Sequence, residues 1–185
     1  MLKHLPNLLT LARLLLAVPL GALILAHKFD AALIVAVAAG ATDALDGFLA
    51  RLLQAHSRFG AALDPVADKV LITVAFLCFA QTGLIPWYVA LVVILRDLLI
   101  VSGALCYHWL IGPIDFSATR LSKANMFVQI CFCLLVLTAQ VAPMIPAASV
   151  TAGIVAVLFI AGASGFDYVM KWSIKAIQQR REGVR

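Results

Sequence analysis

The sequence predicts an all-α polytopic membrane protein with six transmembrane helices around a polar cavity that faces the cytoplasm. Three observations lead there. The 185-residue chain is 64% hydrophobic and 12% charged, with a mean hydropathy of +1.05, whereas a soluble domain is about half apolar and about a quarter charged. Its apolar stretches approach the roughly 20 residues that cross a bilayer as a helix, with short polar or Pro/Gly breaks between them. Finally, four of its eight aspartates fall within or beside two of those stretches.

The first span, 5–26, contains Arg13 and is followed by no small-residue cleavage pattern, so it is expected to stay on the mature protein. The second, 31–54, follows the polar break at 27–30, and the third, 60–82, follows the break at 51–59. The fourth, 86–109, opens at Pro86 just after Gly83. The fifth, 121–142, follows a connection at 111–119 with Gly112 and Pro113, and the sixth, 147–170, follows Pro143 and Pro146; such residues are the expected breakers. The tail, 171–185, reads as a basic interfacial helix with Trp172, Ile174 and Ile177 available to lipid, or as a solvated positive anchor. No internal repeat or linker divides the chain, so residues 1–185 are expected to form one membrane domain ending in this cytoplasmic tail.

With six spans both termini share a side. Lys3, Arg51, Arg58, Arg120, Lys123, Lys171, Lys175, Arg180, Arg181 and Arg185 gather there, while the opposite loops hold only Lys28. By the positive-inside rule the termini and the 51–59 and 111–119 loops are cytoplasmic. The net charge of +5 is dispersed among spans instead of forming a dense stripe, which argues against a nucleic-acid partner. Cys78, Cys106, Cys131 and Cys133 lie in apolar segments without CxxC spacing and read as packing residues. His4, His27, His56 and His108 are scattered at helix ends, which suits structural roles; His56 alone borders the loop between the aspartate pairs. Asp167 is expected to cap or pair near the cytoplasmic rim.

Asp43, Asp46, Asp64 and Asp68 are the sharpest signal. A carboxylate at bilayer depth costs several kcal/mol unless paired or bound to a cation, so a functional site is the default reading. Asp43 and Asp46 are i,i+3 neighbours on a helix, Asp64 and Asp68 are i,i+4 neighbours, and each pair therefore shares a face. The short loop between them predicts an antiparallel hairpin in which the four carboxylates converge on one cytoplasmic cavity. They cannot all stay ionised there without a counterion. Mg²⁺ or Mn²⁺, bound through oxygen, resolves the repulsion and leaves positions for phosphate oxygens, which suits a diphosphate substrate. Gly47 and Gly60 leave room for a ligand or for close helix packing.

Written out, the stretch is Asp43-x2-Asp46-Gly47-x2-Ala50-Arg51-x8-Gly60-x3-Asp64-x3-Asp68. It resembles, without departure, the signature of the CDP-alcohol phosphatidyltransferases, membrane enzymes that make phospholipids from a CDP-linked donor. The motif covers 26 residues, and the chain length and six-span layout also resemble the family. The resemblance implies that Asp43, Asp46, Asp64 and Asp68 bind two divalent cations holding the donor diphosphate, and that Asp68 is also the general base. It further implies that Gly47, Ala50, Arg51, Ser57 and Gly60 contact CDP-diacylglycerol. The segment Pro6-Asn7-Leu8-Leu9-Thr10-Leu11-Ala12-Arg13 is similar to the family's first helix, which gives Asn7 and Thr10 a place at the nucleotide. A homodimer in the lipid bilayer, in a bacterial cytoplasmic or mitochondrial inner membrane, is implied as well. Displacement at phosphorus would then release CMP.

The acceptor side rests on Arg96-Asp97 in the fourth span and on Arg120 with Ser122-Lys123-Ala124-Asn125 in the fifth. Arg96 and Asp97 fit either a self-neutralising packing pair or, with Arg120 and Lys123, a pocket for an acceptor phosphate. Phosphatidylglycerophosphate synthases show Arg-Glu and Gly-Lys-x-Lys-Thr at these places. The Arg-Asp pair and Ser-Lys-x-Asn run resemble instead the CMP-forming cardiolipin synthase branch. Phosphatidylglycerol is therefore the expected acceptor, giving cardiolipin, ahead of glycerol 3-phosphate: a monoanionic diester needs less positive charge than a dianionic monoester. A cation transporter would spread its carboxylates along a pathway and often carry an inverted repeat. A membrane prenyltransferase would usually carry two aspartate clusters on a longer chain.

Overall fold

The described residues form six helices: α1 (Leu5–Leu25), α2 (Phe29–Leu53), α3 (Arg58–Gln81), α4 (Trp87–Leu110), α5 (Arg120–Val141) and α6 (Ala147–Glu182). The computed structural model describes the backbone of residues 5–53, 58–110 and 120–182, and the side chains of residues 14–42, 69–103 and 120–171. No strand occurs among the described residues, and the predicted spans match α1 to α5 to within two residues at each end. α6 departs from expectation by running unbroken to Glu182. The reason is local: no Gly or Pro lies between Phe166 and Glu182, so nothing separates the basic tail from the apolar helix before it.

The turns show why the helices stop where they do. Leu84 N–H donates to the Phe79 carbonyl at 2.9 Å and Gly83 N–H to that of Ala80 at 3.2 Å, with Gly83 at φ 75°. This is a Schellman ending, which glycine enters without steric cost. α1 ends in the same way, with bonds of 2.9 Å from Lys28 to Leu23 and 3.0 Å from His27 to Ile24. There His27 occupies the left-handed position at φ 56°, an ending the sequence did not advertise because no glycine marks it.

The described contacts join the helices in a ring, α1–α3–α4–α6–α5–α2 and back to α1, with α3 also touching α5 across it. The core runs through Leu20, Ile24, Phe76, Phe79, Val89, Val93, Phe132, Val136 and Val157, each 2% exposed or less. Large apolar side chains cover the outside, among them Val18, Ile34, Leu95, Phe127 and Phe159 at 61–76% exposure. Apolar surface on that scale is what a lipid solvent permits and water penalises. Among the described residues two stretches, Arg120–Val141 and Ala147–Lys171, are long and apolar enough to cross a membrane.

The side chains of the aspartate-bearing ends, where the predicted hairpin would bring the carboxylates together, lie outside the described residues; among the described residues α1 touches both α2 and α3, which do not touch each other. They form opposite walls of an apolar cavity of about 60 Å³, with Ala36, Ala39 and Gly40 on one side and Leu71, Ile72 and Ala75 on the other. Leu20 of α1 and Met126, Ile130 and Cys133 of α5 close its flanks. Gly21 lets α1 come this close to α3: a Cβ there would stand 2.9 Å from Val74 Cγ1.

Candidate functional site

The backbone places the aspartates on two helices. Asp43 and Asp46 lie in α2 together with Gly47, Ala50 and Arg51, while Gly60, Asp64 and Asp68 lie in α3. Asn7 and Thr10 belong to the first turns of α1. The side chains of all these residues, and Ser57 altogether, lie outside the described residues. Among the described residues no group of three His, Cys, Asp or Glu side chains is assembled.

Lys69, which follows Asp68 in α3, lies in a polar layer. Lys69 Nζ stands 2.7 Å from Asp97 Oδ1. The same oxygen accepts from Arg96 Nη1 at 2.6 Å. Arg96 Nη2 donates to Ser122 Oγ at 3.2 Å and also to Ser164 Oγ. One guanidinium thus links α4 to α5 and α6, and its carboxylate neighbour links α4 to α3. Arg96 is 7% exposed and Ser164 fully buried, so these bonds form where water competes little and each counts for more than on a surface.

Of the predicted acceptor residues, the structure takes Arg96 into this layer, with both terminal nitrogens engaged. Arg96 and Asp97 do pair, as one of the two readings of the sequence has it, and Lys69 adds a second cation to the same carboxylate. Arg120 and Lys123 flank Ser122 in the first turn of α5 and are exposed. Asn125, which ends the Ser-Lys-x-Asn run, is buried at 1%. Three buried atoms here have no hydrogen-bond partner: Arg96 Nε, Asn125 Oδ1 and Gln129 Nε2. Lys69, Ser164 and Gln129 carried no sequence signal of this kind, since a lysine beside an aspartate and a serine among small residues are both ordinary. Asp167, by contrast, pairs with Lys171 at 2.7 Å as expected.

The layer fixes relative levels. α5 begins two residues before Ser122, whereas α3, α4 and α6 continue past the layer by about 16, 21 and 27 Å at 1.5 Å per residue. The α3 extension carries Asp64 and Asp68. Beyond the layer in that direction no apolar side chain of α3, α4, α5 or α6 is buried among the described residues.

The sequence model of the family described as CDP-alcohol phosphatidyltransferase matches residues 3–164. The cardiolipin synthase (CMP-forming) of Rattus norvegicus is 44% identical over 99 residues, covering 53% of this chain and 33% of the rat protein. In Schizosaccharomyces pombe the cardiolipin synthase (CMP-forming) / mitochondrial hydrolase fusion protein is 36% identical over 154 residues, 75% of this chain and 26% of that protein. A chloroplastic CDP-diacylglycerol–glycerol-3-phosphate 3-phosphatidyltransferase of Oryza sativa is 42% identical over 102 residues, 55% of this chain and 31% of the rice protein. The chain spans about a third or less of the length of these three relatives.

Proposed function

Since the chain belongs to the CDP-alcohol phosphatidyltransferase family, we propose that it transfers a phosphatidyl group from CDP-diacylglycerol to phosphatidylglycerol, yielding cardiolipin and CMP. The observation that carries this reading is the polar layer. It brings the residue next to Asp68 and the cationic first turn of α5 to one level of the bundle, as two phosphate-bearing substrates that must meet require. The apolar cavity supports it too. Ala39 and Gly40 precede Asp43 by one helical turn, and Leu71 and Ile72 follow Asp68 by one turn, so an amphiphile with its diphosphate at the aspartates has apolar space within reach.

The donor set suits a hard divalent cation: Asp43, Asp46, Asp64 and Asp68 offer only oxygen, and their helices stand apart across a cavity instead of packing together. These residues would hold Mg²⁺ or Mn²⁺, two ions in the family reading. Bound there, the ions supply charge stabilisation for the diphosphate and the departing CMP. Asn7, Thr10, Gly47, Ala50, Arg51, Ser57 and Gly60 hold the nucleotide end of the donor. Asp68 takes the proton from the acceptor hydroxyl as its oxygen attacks the diacylglycerol-bearing phosphorus and the bond to CMP breaks. Arg120 and Lys123 bind the acceptor phosphate, and Arg96 stands behind them by holding Ser122. With Asn125 buried, this side presents two exposed cations, a balance that favours a monoanionic diester over glycerol 3-phosphate. In this reading six spans surround a cavity open to the cytoplasmic side, both termini lie on that side, and the protein works as a homodimer in a bacterial cytoplasmic membrane or its mitochondrial counterpart.

Purified protein with CDP-diacylglycerol and Mg²⁺, given phosphatidylglycerol or glycerol 3-phosphate in separate reactions, tests the proposal by mass spectrometry of the lipids. Cardiolipin and CMP in the first reaction alone are expected. Phosphatidylglycerophosphate in the second alone would move the acceptor to the activity named for the rice relative. Silence in both would overturn these two acceptors and bring other alcohols next, and continued silence with those would reopen ion transport as the class to test.

A further inference from the structure

We propose that Asp97 is a positioning residue for the transfer: with Arg96 it forms a brace that holds the Asp68 turn of α3 in place against the first turn of α5. This rests on the function proposed above, and it assigns a role to a residue that touches neither substrate. Three features carry it. First, Asp97 Oδ1 receives two cations, Lys69 at 2.7 Å and Arg96 at 2.6 Å, so a single carboxylate joins α3 to the guanidinium that reaches α5 and α6. Second, its two ends adjoin the chemistry. Lys69 directly follows Asp68, and Ser122 lies between Arg120 and Lys123.

Third, the brace lies where apolar packing thins. The last buried apolar residues approaching this level are Ile72 in α3, Val93 in α4, Phe132 in α5 and Ala161 in α6. Between these residues and the brace the apolar side chains are only partly buried, Leu71 in α3 and Met126, Val128 and Ile130 in α5 among them, and the charged links add to this thinner contact in setting the spacing of the helices. An apolar core tolerates small shifts in helix register at modest cost, whereas a reaction in which two bound groups must meet loses about a hundredfold for a displacement of about 1 Å. A brace at this level therefore acts on turnover more than on whether the chain folds.

The test is a double-mutant cycle on Asp97→Asn and Lys69→Met in detergent-solubilised full-length protein, reading kcat for CMP release, both KM values and thermal melting. Each single variant is expected to lose at least tenfold in kcat, with both KM values within about twofold of wild type and melting little changed. The double variant is expected to lose no more than the worse single one. Wild-type kcat in both folded variants, or fully additive losses, would overturn the brace. If Asp97→Asn does not fold, Lys69→Met alone decides, since Lys69 is 38% exposed at its side chain. A readout independent of turnover accompanies these: spin labels at the exposed positions Leu99 and Phe127, in a cysteine-free background without substrate. A narrow distance distribution that broadens in Asp97→Asn supports the brace, and an unchanged one counts against it even if wild-type protein releases no CMP.

Discussion

Asp43, Asp46, Asp64 and Asp68 are proposed to share one task, so their substitutions should behave as a unit. Asparagine at any one keeps size and helix propensity while removing an anionic ligand, and CMP release is expected to fall at least a hundredfold in each variant, without a matching loss of folded protein by size-exclusion chromatography. A variant retaining more than a tenth of wild-type activity would take that residue out of the set. Arg120→Gln and Lys123→Gln should instead raise KM for the acceptor about five- to tenfold, equivalent to ~1–1.4 kcal/mol, and leave the donor KM alone. The sequence made these residues legible because charge at membrane depth is rare and expensive. Arg96 was legible only as a charge. Its role depends on Ser122 and Ser164, which lie 26 and 68 residues away, and no spacing rule connects them.

Close packing between elements depends on glycines whose surroundings no sequence pattern reveals. Gly153 of α6 faces the ring of Phe132 in α5: a Cβ would come within 2.6 Å of Cδ2 and 2.9 Å of Cε2. Phe132 is 2% exposed, so its ring has little room to yield, and Gly153→Ala is expected to destabilise the protein by ~1–3 kcal/mol. Gly162, nine residues along the same helix, has nothing within 4 Å of the corresponding position, and Gly162→Ala should be neutral or slightly stabilising because alanine favours helix. Melting temperatures of the two variants in one detergent check the pair, and an equal effect would mean that α5 and α6 are not in this register. Helix number and limits, apart from the end of α6, followed from apolar length and Pro/Gly breaks. Which helices touch did not: the described contacts set α1 beside both α2 and α3, and no spacing in the sequence indicates that.

At the scale of the whole molecule, the sequence and the structure speak to different halves of the topology. The charge asymmetry predicts sides, with Lys28 the only basic residue in the loops expected opposite the termini. The structure adds levels: the charged layer and both aspartate-bearing helix segments sit toward the ends of α2 and α3 that meet at residues 54–57, while Gly83, Pro143 and Pro146 lie at the other end of the bundle. If six spans cross the bilayer, all substrate phosphates are handled from one face, the face bearing the termini. Single cysteines at Lys28 and Met144, in a cysteine-free variant expressed in bacteria, should then react with a membrane-impermeant maleimide added to intact cells. Cysteines at Arg58 and Lys175 should react only after the membrane is opened. Labelling of Arg58→Cys from outside would invert the protein and separate its aspartates from a nucleotide donor made in the cytoplasm. Labelling of Lys28→Cys and Lys175→Cys from the same side would require an even number of crossings between them instead of the five from α2 to α6, and one of those helices would then have to lie in the membrane plane. The continuous helix from Ala147 to Glu182 bears on the same experiment. At about 54 Å, from 36 residues at 1.5 Å each, it is longer than the roughly 30 Å hydrocarbon core of a bilayer, so Lys175 is expected to lie outside the hydrocarbon on the side of the aspartates.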